Sequence, residues 1–247
     1  MAKDSLLWSK IDLEPYKSQL SLRDLKSLIA VYGSDSTRLF ALHGHFSHDS
    51  VLLLSNNKSY YSNDSSSNSG GEVASESKPI YYLDREFLVG TLTVRCHHLS
   101  TIRLEHLDLS TLELRMFYAF ENLESLSLKW CYSDEHWYRR DDDDVAGKEP
   151  SRIKHLSIVR SSSDQLTEAD MESICDHMPL LATLSVVQTR STLTDEVARV
   201  VARRCVHLQR LELVNTLISD QAVLELCRAP ALSARLTHLN LFGVGVN

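Results

Sequence analysis

Leu208-Gln-Arg-Leu211-Glu-Leu213, close to the C-terminal end of the chain, is the phrase that decides the fold. Leu236-Thr-His-Leu239-Asn-Leu241 repeats its L-x-x-L-x-L pattern 28 residues later. Upstream, Leu181-Ala-Thr-Leu184-Ser-Val186 precedes it by 27 residues, and Ile153-Lys-His-Leu156-Ser-Ile158 stands 28 before that. Leu123-Glu-Ser-Leu126-Ser-Leu128 follows at a spacing of 30, and Leu99-Ser-Thr-Ile102-Arg-Leu104 at 24. One such phrase would mean little. Six at nearly constant spacing mark an internal repeat, which governs any reading of the fold.

Between these phrases a second one recurs. Leu217-Ile-Ser-Asp220 leads into an apolar-periodic stretch from Ala222 to Cys227, Leu193-Thr-Asp195 into Val197 to Cys205, and Leu166-Thr-Glu168 into Met171 to Cys175. Ser219, Thr194 and Thr167 each precede an acidic residue and a helical apolar pattern, the grammar of a helix N-cap. The acidic residues also suit the positive end of the helix dipole. Each unit therefore reads as a short strand, a turn and a helix. Strand positions one, four and six face inward, and the helix adds an apolar stripe on the same side. One unit cannot bury that face alone, so stacking is required, with a parallel sheet as the result.

Units of this kind are leucine-rich repeats. The expected fold is α/β: a horseshoe-shaped solenoid of about eight repeats over residues 8–247, with a parallel sheet on the concave side and helices on the convex side. Two less regular copies complete the eight. Trp8-Ser-Lys-Ile11-Asp-Leu13 has an aromatic first residue, and Leu39-Phe-Ala-Leu42-His-Gly44 lacks the sixth apolar residue. Leu20, Leu22, Leu25, Leu28 and Ile29 between them are spaced as an amphipathic helix. Residues 55–79 hold nine serines and almost no aliphatic side chains, so they read as a disordered insertion, with a helix resuming near Leu83 to Val94. A second polar loop is expected over 133–150, with Asp141, Asp142, Asp143 and Asp144 in a row.

Composition excludes several classes of function. A net charge of −7 supplies no basic stripe for nucleic acid. No apolar run reaches the roughly 18 residues that cross a bilayer, so no membrane partner is expected. Five cysteines without a pairing rhythm suggest free thiols in a reducing compartment, cytoplasmic or nuclear. The sequons at Asn57 and Asn63 are then not glycosylated.

No catalytic motif or cofactor signature is present. Cys96-His97-His98, Cys175-Asp176-His177 and Cys205-Val206-His207 resemble metal ligands, but they recur where a helix ends before the next strand. Equivalent positions form a ladder rather than converging within about 2.3 Å of one point, as zinc requires. They read as buried structural thiols. Cys131 occupies a corner slot matched by Ser161, Thr189 and Thr216, expected to satisfy turn backbone. Four consecutive aspartates lack the alternation and glycine of a calcium loop. No metal, cofactor or catalytic residue is expected.

The informative side chains are those facing outward from the strands. Position five reads Asp12, His43, Arg103, Ser127, Ser157, Ser185, Glu212 and Asn240. Position seven reads Glu14, His45, Glu105, Lys129, Val159, Val187, Val214 and Phe242. The N-terminal half of this face is charged, and the C-terminal half sets small serines beside an apolar column. Such a column is a candidate docking surface. The β-propensity of valine accounts for it equally well. The expected protein-binding residues are Arg103, Lys129, Ser127, Ser157, Val159, Ser185, Val187, Glu212, Val214, Asn240 and Phe242. An enzyme would instead need convergent titratable groups, such as His43 and His45 near Arg103.

Leu6-Leu-Trp8-Ser-Lys-Ile11-Asp-Leu13 resembles the end of an F-box and the first strand after it. With the downstream repeats, the S/T-D caps and the helix-end cysteines, nearly the whole chain is similar to the F-box/leucine-rich-repeat family. The resemblance implies a non-catalytic substrate receptor of a cullin-based SCF ubiquitin ligase, which holds a protein substrate on its concave face for ubiquitination and proteasomal degradation. It implies that residues 1–7 are the remnant of an F-box. The helices that grip the S-phase kinase-associated adaptor belong before Asp4, so the adaptor and the cullin are expected partners only if an F-box lies upstream. The C-terminus stops within a repeat, and the chain reads as a piece of a longer receptor. The alternative expectation is a stand-alone leucine-rich-repeat scaffold or inhibitor with no ligase link.

Overall fold

A computed structural model of the chain describes residues 9–16, 20–44, 82–133, 151–160, 166–188 and 193–243. The stretch 1–7, the serine-rich stretch 55–79 and all but Ser133 of the acidic loop lie outside them. Among the described residues, eight strands are present: β1 (Lys10–Asp12), β2 (Leu39–His43), β3 (Thr101–Glu105), β4 (Ser125–Lys129), β5 (His155–Arg160), β6 (Thr183–Gln188), β7 (Arg210–Val214) and β8 (His238–Asn240). They form one sheet in chain order. Every neighbouring pair is parallel.

Parallel neighbours need a crossover between them. Helix α1 (Leu22–Tyr32) lies between β1 and β2. A π-helical segment, Glu86–Leu92, running into α2 (Thr93–Arg95) precedes β3. A 3-10 helix, Leu114–Ala119, lies between β3 and β4. Then follow α3 (Glu168–His177), α4 (Asp195–Arg204), α5 (Asp220–Arg228) and the short α6 (Pro230–Ser233). Helices α3, α4 and α5 pack on one another in sequence order.

From β3 to β7 the expected inward positions are the core, whereas in the last repeat Leu239 is 41% exposed and Leu236 and Leu241 are only partly buried. Leu99, Ile102, Leu104, Leu123, Leu126, Leu128, Ile153, Leu156 and Ile158 are buried, as are Leu181, Leu184, Val186, Leu208, Leu211 and Leu213. They join helix residues such as Leu25, Ile29, Met171, Ile174, Val197, Val201 and Leu226 in one continuous cluster. Each fully buried Leu or Ile contributes about 1.5–3 kcal/mol relative to exposure. Stacking alone gives these side chains that burial.

Two hydrogen-bond ladders set the stacking geometry. The carbonyl oxygen of the residue just before each strand accepts two N–H groups from the start of the next repeat's strand segment. Ser9 O takes Arg38 and Leu39, Arg38 O takes Ser100 and Thr101, and Ser100 O takes Glu124 and Ser125. Glu124, Lys154, Ala182 and Gln209 continue the series. The second ladder joins helix starts. Ser21, Thr167, Thr194 and Ser219 are all N-caps, and Ser21 and Thr167 close full capping boxes with Asp24 and Asp170. The first acidic residue of one helix also reaches the next cap. Thr194 Oγ1 donates to Glu168. Asp195 accepts from Ser219 N at 2.7 Å and from its hydroxyl at 2.6 Å. These bonds hold the Asp195 carboxyl below its ordinary pKa.

Three expectations are corrected. Strand β2 is slipped by two residues from the register read in the sequence: Phe40 pairs with Ile102 and Leu42 with Leu104. Phe40 and Leu42 are therefore positions four and six, and position one is Thr37. Thr37 is fully buried, with its hydroxyl accepting from Ser34 N at 3.3 Å. Position five is Ala41 rather than His43, and His43 moves to position seven. Cys175 does not share the phase of Cys96 and Cys205. It lies inside α3, and Met178 holds the helix-end slot. The units also do not all carry an α-helix. The resuming helix is mostly π, with Thr93 Oγ1 donating to both Leu88 O and Val89 O. Such back-bonding competes with regular α pairing.

The register makes Phe40 a core residue packed 6.0 Å, centroid to centroid, from Phe87. Phe40→Ala is expected to cost about 3–5 kcal/mol in urea unfolding. Asp195→Ala, which removes the link between two caps and a first-turn carboxylate, is expected to cost about 1 kcal/mol.

Candidate functional site: the open face of the sheet

The strands' odd positions point away from the core, and parallel pairing stacks them into columns. The position-five column reads Asp12, Ala41, Arg103, Ser127, Ser157, Ser185, Glu212 and Asn240. The position-seven column pairs His43 with Glu105, Glu105 with Lys129, Lys129 with Val159, Val159 with Val187, and Val187 with Val214. Phe242 extends it through the bond from Asn215 N to its carbonyl, and its side chain is 75% exposed. Every site residue expected from the sequence lies on this face. His45 falls outside the described residues.

The face has two halves. At the N-terminal end, Lys10 and Asp12 form an ion pair at 2.7 Å. Lys10 lowers the Asp12 pKa, with a further pull from Arg103. Arg103 and Lys129 are exposed. At the C-terminal end, Ser127, Ser157 and Ser185 lie in register beside the valines. Strands stand about 4.8 Å apart, so Val159, Val187 and Val214 make an apolar strip roughly 10 Å long. The strip is half-buried rather than sealed. Ser185 Oγ donates to Glu212 Oε2 at 2.8 Å, and Arg210 holds Glu212 Oε1 at 2.6 Å. The Ser185 bond first, then Arg210, keeps the Glu212 carboxyl below the usual carboxylate range. His155 Nδ1 lies 3.0 Å from Thr183 Oγ1.

Among the described residues, one convergence of titratable groups lies on this face, at the strand ends. His43 and Glu105 are register partners, and His106 follows Glu105. One ligand-capable atom from each lies within 4.8 Å of the others. Glu105 Oε1 is 3.8 Å from Nε2 of both histidines. Sequence alternation hides this trio, because a regular strand would send His106 to the opposite side from Glu105. Its φ of 52° turns it back. Trp130 and Asn215 hold similar values at equivalent corners, so the turn belongs to the repeat.

Cys96, Cys175 and Cys205 are buried, with Cys175 and Cys205 Sγ atoms 3.1 Å apart. Cys131 Sγ lies 3.5 Å from Leu104 O and Lys129 O, as a corner-satisfying donor should. The matching Thr216 does not follow. Its hydroxyl is buried with no hydrogen-bond partner among the described residues. Ser161 and Thr189 lie outside them. No helix among the described residues is long and apolar enough to cross a membrane.

Because the folded state lowers the Glu212 pKa, its contribution to stability is present above the ordinary carboxylate range. It is lost as pH falls through the lowered value. Glu212→Gln is therefore expected to cost roughly 0.5 kcal/mol at neutral pH. The difference from the wild type should vanish in acid, as read from urea midpoints across the range. Comparison of the chain with protein-family models and with curated proteins gave no match.

Proposed function

We propose that this chain is a leucine-rich-repeat solenoid acting as the substrate-holding part of an F-box/leucine-rich-repeat receptor. It catalyses nothing itself. A protein substrate lies against the open face of the sheet, and the ligase machinery supplies ubiquitin to a target held nearby, a gain by proximity. The observation that carries the reading is the position-seven column. Val159, Val187 and Val214 form an aligned apolar strip on a solvent-facing sheet, with in-register serines beside it and charge at the other end. Interfaces combine an apolar centre with a polar rim in this way. The eight-strand sheet in chain order and the L-x-x-L-x-L core positions support the repeat assignment. The Trp8-Ser-Lys-Ile11-Asp-Leu13 phrase supports the F-box link.

The test is a comparison of the wild-type chain with Val187→Asp, both captured from cells after circular dichroism shows equal folding. Substrates are expected to bind the wild type at least tenfold better. Their half-lives are expected to lengthen when the cellular protein is depleted. Equal capture by Val187→Asp and by Arg103→Glu would reject the face as the binding surface. Face-dependent partners with unchanged half-lives would make the chain a scaffold or inhibitor without a ligase link.

A further inference from the structure

We propose that His43, Glu105 and His106 bind one zinc ion, or a similar divalent transition-metal ion, at the strand-end rim of the open face. The inference is independent of any ubiquitin-ligase role. Two imidazoles and a carboxylate are a donor set that suits zinc, and three protein ligands leave a fourth position open. Here that position faces the exposed side of the sheet, with His43, Glu105 and His106 all partly accessible.

The backbone brings the three together from two neighbouring repeats. Parallel register sets His43 beside Glu105. The left-handed turn at His106 then lays its ring against that of His43, centroids 4.7 Å apart. The corner is tight. Gly44 N donates to Glu105 O at 2.7 Å, and a Cβ on Gly44 would come within 2.4 Å of His106 O. Only glycine allows the two corners to approach this closely.

All three ligand atoms lie within 4.8 Å of one another, a spread that one ion at their centre draws together. A contact of 3.8 Å between Glu105 and each imidazole is too long for a hydrogen bond. Around tetrahedral zinc, with bonds of about 2.0–2.1 Å, ligand atoms stand roughly 3.4 Å apart. Small side-chain rotations close that gap. His43 is oriented for the task. Its Nδ1 lies 2.7 Å from Gly44 O, and donation to that carbonyl turns the Nε2 lone pair toward the cluster. Trp130 stacks over His106 at 6.5 Å and an interplanar angle of 20°, which limits the second ring. Among the described residues, no other three His, Cys, Asp or Glu side chains converge in this way. His97 lies apart from this cluster, engaging Asp35 at 2.9 Å and Thr93 O at 3.1 Å.

The experiment is equilibrium dialysis of the full chain against Zn2+, with Co2+ as a spectroscopic substitute. One saturable equivalent is expected, with the visible bands of tetrahedral cobalt and no thiolate-to-metal charge-transfer band. Glu105→Gln, nearly the same shape, is expected to weaken binding about tenfold or more while circular dichroism stays unchanged. The pair His43→Ala, His106→Ala should abolish the cobalt bands, and His97→Ala, His98→Ala should leave them intact. Absence of a saturable site overturns the proposal, as does a thiolate band or binding that survives both Glu105→Gln and the His43, His106 pair.

Discussion

A single carbonyl oxygen per repeat, shared between two N–H donors of the next strand, fixes the position of nearly everything else. Because Arg38, Ser100, Glu124, Lys154, Ala182 and Gln209 all make the same pair of bonds, each strand starts level with its predecessor. Level strands put position four over position four, and the core becomes a set of continuous columns rather than a patchwork. The same alignment stacks positions five and seven on the opposite side. The face is thus a by-product of core packing: residues there are free to vary, since the backbone rather than their own contacts decides where they stand. The caps carry this alignment to the helices, where Glu168 and Asp195 each tie their own helix to the start of the next.

Most of this was legible because leucine is nearly unambiguous at period two within a regular repeat. The six later copies present apolar residues at positions one, four and six, and all six pair as the pattern requires. The early copy misled for a physical reason. Its first slot holds Thr37, a polar residue that satisfies its hydroxyl locally, so nothing in the letters marks it as core. Leu39 and Leu42 then mimic the phrase two residues late. Cys175 misled differently: it lies inside α3, about one turn before the helix-end slot, and Met178 fills the slot that Cys96 and Cys205 fill in their repeats. The strand-end trio was out of reach because a positive φ at a histidine has no sequence signature. Glycine or asparagine would have hinted at it, as they do at Gly243 and Asn215.

The two ends of the face differ in what they can offer. The valine strip gains from excluding water and needs no exact partner geometry, as apolar burial is roughly proportional to area and non-directional. The Lys10, Asp12, Arg103 and Lys129 end acts through charge, which orients and selects but contributes little net stability when exposed. A partner spanning both would be held by one end and aligned by the other. The fixed bonds of Glu212 to Ser185 and Arg210 mark where the polar border of the strip begins.

Registration by the backbone also frees the connections. Phe40 and Ile102 are paired neighbours although 62 positions separate them, while Ile102 and Leu126 are paired across 24. Lengthening a loop between two strands that already meet costs only about 0.6 kcal/mol per doubling. Such an architecture can accept new segments between strands without disturbing the face, so the open face and the connections are able to evolve on separate schedules.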